Sequence, residues 1–183
     1  INVWELIRLA NRHPRVNILQ PGPGVGGHCI AVDPWFIVAQ NPEQAQLIRT
    51  AREVNDGKPH WVVNQVKAAV ADCLAETGKR ASEITIACFG LAFKPNIDDL
   101  RESPAMEIAE LLSSWHNGKT LAVEPNIHQL PKKLVGSCEL ASIDDALQQA
   151  DVLVMLVDHH AFKAIPGSQV QQSWIVDTKG VWR

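Results

Sequence analysis

The chain has 183 residues, of which 46% are hydrophobic and 20% are charged, a balance typical of a globular protein with a real core. The formal net charge of −3 gives no electrostatic basis for binding nucleic acid or an anionic membrane. No apolar run approaches the roughly 20 residues that span a bilayer. The four cysteines lack the spacing of a zinc site or a disulfide framework. We therefore expect a cytoplasmic protein without a metal centre, whose partners are neither nucleic acid nor membrane.

A helix is predicted over the first twelve residues, because their apolar side chains recur at helical spacing. The pattern is already under way at Ile1 and no Met precedes it, so we expect the chain to begin inside a larger protein. Pro14 ends the helical pattern. His13 and Arg15 are therefore expected in a loop, either as solvated side chains or as groups that meet a ligand.

The stretch from Gln20 to Asp33 is the most distinctive part of the sequence. It contains the glycines Gly22, Gly24, Gly26 and Gly27. Glycines let the backbone approach a ligand closely, and Cys29 stands at the end of this bare loop. Polar or cationic surroundings favour a nucleophilic thiolate, and nearby backbone N–H groups could stabilise negative charge. The loop is therefore consistent with a catalytic cysteine or with a structural one.

Two tandem helices are predicted next. Asn41-Pro42-Glu43 is typical of a helix start, and the helix should run to about Asp56. Gly57 interrupts it, and Pro59 can open a second helix whose apolar stripe includes Cys73. The pair indicates a connector between domains or a dimerisation surface.

From Glu83 onward the pattern changes to strands that alternate with helices. Strands are predicted over residues 84–89, 120–123, 152–157 and 174–177, with capped helices over residues 103–115 and 142–150. Cys88 falls in the first strand and is expected in the core. The alternation predicts an α/β fold, a doubly wound parallel sheet covered by helices on both faces.

Ligands of such sheets bind beyond the carboxyl ends of the strands. The loop after the first predicted strand, residues 90–103, lacks the G-x-G-x-x-G pattern of a dinucleotide site. It offers Phe93 for stacking, Lys94 as a cation for phosphate, and Arg101 as a bidentate partner near a helix start. Lys179 follows the last strand at the same edge. A ligand site and a solvated charge cluster both fit this pattern.

Three segments together resemble the UDP-glucose/GDP-mannose dehydrogenase family. The glycine loop with Cys29 and Asp33 resembles the family's catalytic-cysteine segment, and residues 52–56 resemble its central-helix signature. Phe93-Lys94 and residues 99–104 resemble the signature that opens its nucleotide-sugar-binding domain. The resemblance implies a central helical region over residues 1–82 and a Rossmann-like, nucleotide-sugar-binding domain over residues 83–183. The tandem helices after Asn41 indicate a homodimer through an apolar face of the central helices.

The family resemblance implies two successive oxidations of a sugar C6 alcohol to a carboxylate, with two NAD and no metal. Cys29 would hold the intermediate aldehyde as a thiohemiacetal and then as a thioester. Asp33 would position water or assist proton transfer, and Arg101 would approach the bound NAD. The substrate-binding residues implied in this way are His13, Arg15, Gly26, Phe93, Lys94 and Lys179. His13 and Arg15 would meet the substrate from the same or a neighbouring subunit.

Residues 13–17 and 26–34 resemble the bacterial branch of the family that acts on UDP-N-acetyl-D-mannosamine for enterobacterial common antigen. Members that act on UDP-glucose usually carry Ser-Cys-Phe-Pro-Lys-Asp, where this chain has His28 and Val32 in place of the serine and lysine. UDP-glucose and GDP-mannose remain alternative substrates. The family's NAD domain precedes the segments matched here, so the resemblance implies a C-terminal part that is inactive alone.

Two readings from other classes remain. A cysteine hydrolase would need a histidine base, but neighbouring residues on an extended backbone point to opposite sides, so His28 is poorly placed for Cys29. The second reading is a module that binds nucleotide sugars or mediates dimerisation and catalyses no reaction.

Overall fold

The computed structural model describes residues 1–170 and 174–182 of the chain. The first half contains α1 (Val3–Ala10), α2 (Asp33–Gln40), α3 (Gln46–Asp56) and α4 (Lys58–Thr77). The second half contains β1 (Thr85–Phe89), α5 (Pro104–Trp115), β2 (Lys119–Val123), β3 (Glu139–Leu140), α6 (Ile143–Gln149), β4 (Val152–Met155), α7 (His160–Lys163) and β5 (Trp174–Asp177). In the described ranges no helix is both long and apolar enough to cross a membrane.

The strands form one parallel sheet in the order β3-β2-β1-β4-β5. The chain moves outward from β1 to β3 and then returns to place β4 on the other side of β1. This reversal creates a switch point between β1 and β4, the place where open α/β sheets bind their ligands. The predicted doubly wound α/β fold is confirmed.

Helices cover both faces of the sheet. On one face α4 and α5 pack against strand residues that include Ile86 and Val154. On the other face Phe89 lies in a cluster with Phe162, and their ring centroids are 5.2 Å apart in an edge-to-face arrangement. Parallel strands buried on both faces carry nearly continuous apolar runs, which is why the strand pattern was readable from the sequence.

The predicted helix caps at Ser103 and Ser142 are confirmed. Ser103 accepts a hydrogen bond from the Met106 N–H at the start of α5, and Ser142 accepts one from the Asp145 N–H at the start of α6. Gly78 ends α4 in the left-handed conformation, with φ of +70°. The side chains therefore satisfy backbone donors that a helix start leaves without internal partners.

The predicted helix start at Asn41 is wrong. Asn41 instead ends helix α2, its N–H donating to the Ile37 carbonyl, and α3 begins only at Gln46. The preceding Asp33-Pro34 pair is an equally good helix start, with an acid and a proline in the first turn. Two start signals stand eight residues apart, and the earlier one forms the helix.

The apolar stripe of α4 faces the interior of its own chain. Val62, Val66, Val70 and Cys73 are almost fully buried against the sheet and α5. The burial of Cys73 and of Cys88 in β1 is confirmed. Because the stripe is already covered, it does not supply the apolar dimer surface expected of the tandem helices. The exposed large apolar residues of α3 and α4 are Leu47, Val54 and Trp61.

Gly90 is required where β1 turns into the ligand-edge loop. Its φ is +96°, and a Cβ there would lie 2.4 Å from the Val157 Cβ. We expect Gly90→Ala to lower the free energy of unfolding by about 3 kcal/mol, because overpacking adds to the cost of a left-handed residue. Urea unfolding measures the loss.

Gly136→Ala is the matched control, since Gly136 has φ of +87° but no atom within 4 Å of the position that a Cβ would occupy. It should cost only the left-handed term of about 1 kcal/mol. An equal loss in free energy of unfolding for the two variants would mean that the Val157 side chain moves aside and that the close contact is unimportant.

Candidate functional site

The glycine loop packs directly on the segment that leads into α5. The Gly27 N–H donates to the Glu102 carbonyl at 3.2 Å. A Cβ on Gly26 would lie 2.1 Å from that same carbonyl oxygen, and a Cβ on Gly27 would lie 3.0 Å from the Phe93 ring. The two backbones therefore touch only because these positions carry no side chain.

Asn55 fixes the same loop from the other side. Its Oδ1 accepts the Val25 N–H at 2.8 Å, and its Nδ2 donates to the Val25 carbonyl at 3.3 Å. Asp56, the next residue, accepts a 2.6 Å hydrogen bond from the buried Arg52. The central-helix signature of the sequence thus has a structural role, because it clamps the glycine loop onto α3.

A cleft of about 590 Å³ opens between the glycine loop, the α3–α4 junction and the carboxyl edge of the sheet. Its lining consists of Gln20, Gly22, Gly24, Val25, Gly26, Ile30, Ala51, Val54, Asn55, Lys58, Phe93, Lys94 and Lys179. Four of the predicted substrate-binding residues, Gly26, Phe93, Lys94 and Lys179, come together here. The volume and the mixture of apolar wall and few polar groups are typical of a small-molecule site.

The cleft is rich in positive charge. Lys58 and Lys94 form no ion pair within the described part of the chain, and the Lys179 ammonium lies 3.4 Å from an Asp158 oxygen. Asp158 is bound more closely by Lys163, at 2.6 Å. Burial raises the pKa of the Asp158 carboxyl, but the bond from Lys163 and the charge of Lys179 hold it below its usual value. Three ammonium groups therefore face a space with little compensating negative charge.

Lys58 was not identified from the sequence as a residue of the cleft. Its ammonium lies 3.5 Å from the centroid of the Trp61 ring, and burial lowers its pKa. The available signal was a Lys-x-x-Trp spacing at a helix start, which places the two side chains on one helix face.

Asp177 fixes the backbone that presents Lys179. Its Oδ1 accepts the N–H groups of Lys179 and Gly180 at 2.9 and 2.7 Å, and its Oδ2 accepts the Trp182 N–H. The turn after β5 is therefore closed by one carboxylate, and its lysine is held at the sheet edge.

Cys29 is exposed, whereas Cys73, Cys88 and Cys138 are buried. The Cys29 carbonyl accepts the N–H groups of Val32 and Asp33 at 3.0 and 2.8 Å, so residues 29–33 form a turn that leads into α2. The Asp33 carboxylate is exposed near that helix start. Neither side chain lines the cleft, but the adjacent Ile30 does.

Arg101 is bound by Asp99 rather than free. Its Nε lies 2.9 Å from one Asp99 oxygen and its Nη2 lies 2.6 Å from the other. These bonds lower the pKa of Asp99 to about 2. The same bonds raise the pKa of Arg101, with a smaller contribution from Cys29, so Arg101 lies on the cysteine side of the loop.

His13 and Arg15 stand apart from the other predicted residues. Both are exposed, the Arg15 N–H donates to the His13 ring at 3.2 Å, and neither lines the cleft. His28 is exposed, and across the described ranges it forms no hydrogen bond to Cys29. Among the described residues no histidine is hydrogen-bonded to the Cys29 thiol, so the arrangement needed for a cysteine hydrolase is not found there. Nor do the described residues contain a group of three metal-ligating side chains.

Known proteins match this chain along nearly all of its length. Residues 87–183 match the UDP-binding domain of the UDP-glucose/GDP-mannose dehydrogenase family, and residues 1–57 match its central domain. The chain is 82% identical over 183 residues to UDP-N-acetyl-D-mannosamine dehydrogenase of Salmonella typhi, covering 100% of this chain and 44% of that protein. It is 57% identical over 182 residues to NDP-N-acetyl-D-galactosaminuronic acid dehydrogenase of Ralstonia solanacearum, covering 100% of this chain and 41% of that protein. The chain thus spans less than half the length of these relatives.

Solved structures agree with these matches. UDP-D-ManNAc dehydrogenase of Pyrococcus horikoshii is 31% identical with a TM-score of 0.80, covering 100% of this chain and 41% of that one. UDP-N-acetyl-mannosamine dehydrogenase of Staphylococcus aureus is 39% identical with a TM-score of 0.74, covering 99% of this chain and 40% of that one. From its motifs, its fold and these matches, the chain belongs to the UDP-glucose/GDP-mannose dehydrogenase family.

Proposed function

We propose that the protein containing this chain oxidises UDP-N-acetyl-D-mannosamine at C6 to UDP-N-acetyl-D-mannosaminuronate. The observation that carries the proposal is the cationic cleft beside an exposed cysteine, where the glycine loop meets Phe93, Lys94 and Lys179. The high identity to proteins named for this sugar supports the choice of substrate.

The cleft fits the diphosphate and base of a nucleotide sugar. Lys58, Lys94 and Lys179 would contact the diphosphate, whose two negative charges complement ammonium groups that have little other compensation. Phe93 offers an aromatic face for stacking, and Gly26 lets the ligand lie against bare backbone. The sugar would then extend toward Ile30 and the neighbouring Cys29.

Cys29 would act as the nucleophile that holds the reacting carbon. Its thiolate adds to the C6 aldehyde and forms a thiohemiacetal, which becomes a thioester when a hydride leaves. Water then releases the carboxylate and regenerates the thiol. Asp33, exposed at the helix start that follows the cysteine, would position that water or take its proton.

NAD would accept one hydride in each oxidation. The sheet of this chain does not itself fit an NAD site, because the β1–α5 loop lacks the glycine fingerprint. One residue does fit a contact with NAD, because Arg101 is exposed on the same side of the loop as Cys29. Arg101 would contact the cofactor there, and Asp99 would keep its guanidinium oriented.

We also propose a cytoplasmic homodimer that serves the enterobacterial common antigen pathway. The large apolar residues of α3 and α4 that are exposed and do not line the cleft, Leu47 and Trp61, offer a dimer surface. His13 and Arg15 lie outside the cleft of their own chain, so they would reach a substrate across such an interface.

Other nucleotide sugars of the family are the alternative substrates. The 57% identity to a dehydrogenase named for N-acetyl-D-galactosaminuronic acid favours a second N-acetylated sugar over UDP-glucose or GDP-mannose. The alternative from a different class is a module that binds nucleotide sugars without catalysing a reaction. Replacement of Cys29 distinguishes the two, because it should abolish an enzyme's oxidation but leave pure binding unchanged.

The first experiment counts NADH formed per UDP-N-acetyl-D-mannosamine consumed by the complete protein, from absorbance at the end point. We expect the unaltered protein to form two NADH per sugar. The Cys29→Ala variant should form no carboxylate product, because the thioester cannot form without the thiol. UDP binding should survive in that variant, which serves as the folding control. One NADH per sugar in the unaltered protein would contradict the second oxidation, and turnover of UDP-glucose alone would contradict the substrate.

Lys58→Met should weaken UDP binding about tenfold while leaving uridine binding unchanged. A hydrogen bond between charged groups contributes about 1.5 kcal/mol or more, and only UDP carries phosphate. Isothermal titration calorimetry on the complete protein measures both affinities. Lys67→Met is the matched control, because Lys67 lies on the same helix over the Trp115 ring but does not line the cleft. Equal losses for UDP and uridine would mean that Lys58 does not contact phosphate.

A further inference from the structure

A buried carboxylate holds the start of the segment that carries Phe93 and Lys94. Glu124 follows β2, and its side chain is 0% exposed. Its Oε2 accepts the N–H groups of Leu91 and Ala92 at 2.8 and 3.1 Å. The two residues before Phe93 are therefore fixed by their backbone to the end of the neighbouring strand.

A buried histidine holds the end of the same segment. His159, which follows β4, accepts the Asn96 N–H on its Nδ1 at 2.9 Å. A backbone N–H can only donate, so Nδ1 carries no proton and the ring is protonated at Nε2. That nitrogen lies 3.0 Å from the Glu124 Oε2 and donates to it. Both ends of the segment are thus tied to one buried pair.

The segment turns sharply at its end. Asn96 has φ of +63°, in the left-handed region that residues other than glycine rarely adopt, although Asn does so more readily than most. Its side-chain Oδ1 also accepts the His160 N–H at 2.9 Å. Phe93 and Lys94 lie between the fixed residues, and Lys94 itself is exposed with no ion pair in the described ranges.

The pair is also well supported. The Glu124 carboxylate accepts two more bonds from Asn126, at 3.2 and 3.0 Å. Burial raises its pKa, but the bonds from His159 and the Leu91 N–H outweigh burial and hold the pKa below its usual value. The His159 ring packs edge-on against Phe162, with centroids 5.1 Å apart. Glu124 is therefore an ionised acceptor at neutral pH, and His159 has little freedom to rotate.

We propose that Glu124 and His159 are positioning residues for nucleotide binding, which act by holding Phe93 and Lys94 in place at the cleft. The role in binding rests on the proposed function, whereas the anchoring of residues 91–96 does not. Neither side chain lines the cleft, so neither touches the ligand. Their effect on affinity must pass through the segment that they hold.

The test uses His159→Phe in the complete protein, because phenylalanine keeps the packing on Phe162 and removes the hydrogen bonds that the ring makes with Asn96, Asn126 and Glu124. We expect UDP to bind about tenfold more weakly. In a Phe93→Ala/Lys94→Ala background, His159→Phe should weaken binding by less than twofold, because the residues through which it acts are already gone. Glu124→Gln is the second variant, since it keeps the side-chain shape while removing the charge that accepts these bonds.

Val70→Ala is the stability control, because it opens a cavity under α4 without lining the cleft. It should lower the melting temperature but leave the UDP affinity unchanged. If His159→Phe weakens UDP binding as much in the Phe93→Ala/Lys94→Ala background as in the unaltered protein, or if Val70→Ala weakens it equally, the positioning role is overturned.

Amide hydrogen exchange tests the anchoring without any ligand. The Asn96 amide should exchange at least tenfold faster in His159→Phe, and the Leu91 and Ala92 amides at least tenfold faster in Glu124→Gln, while those of β1 change little. Unchanged exchange would refute the anchoring. Should the unaltered protein fail to bind UDP, the proposed function fails, and the exchange data still decide whether the pair holds the segment.

Discussion

The site depends on one close approach between backbones. The glycine loop can lie on the segment before α5 only because Gly26 and Gly27 present no Cβ to the Glu102 carbonyl and the Phe93 ring. Asn55 holds the loop in that position from α3. A methyl group at Gly26 would push the loop away and separate the cysteine from the cationic cleft. The residues proposed to have chemical roles are thus placed by close contacts between backbones that a side chain would block.

The sheet topology supplies the other half of the site. The loops after β1 and β4 meet at the switch point, and the turn after β5 brings Lys179 to the same edge. Glu124 joins them from the end of β2. Four parallel strands therefore contribute to one edge, although the groups that they carry lie far apart in the sequence.

Local signals predicted much of this fold. Strands β1, β2, β4 and β5 were readable because each is an apolar run, and Ser103 and Ser142 marked helix starts. Strand β3 was not readable, because its two residues are both exposed and carry no apolar pattern. Two grounds predicted that these site residues lie together. Phe93, Lys94 and Lys179 follow strands that end at one edge of the sheet, and the family resemblance added Gly26.

What the sequence did not reveal depends on contacts between distant residues. The bond between Glu124 and His159 joins positions 35 residues apart, and a buried acid after a strand looks the same as an exposed one in a sequence. The apolar stripe of α4 could be predicted from the sequence, but not that the sheet and α5 cover it. The cleft itself takes walls from both halves of the chain, so a nucleotide bound there would link them. Ligand binding would then report on how firmly the two halves are docked, and a saturating nucleotide would make them unfold as a single cooperative unit.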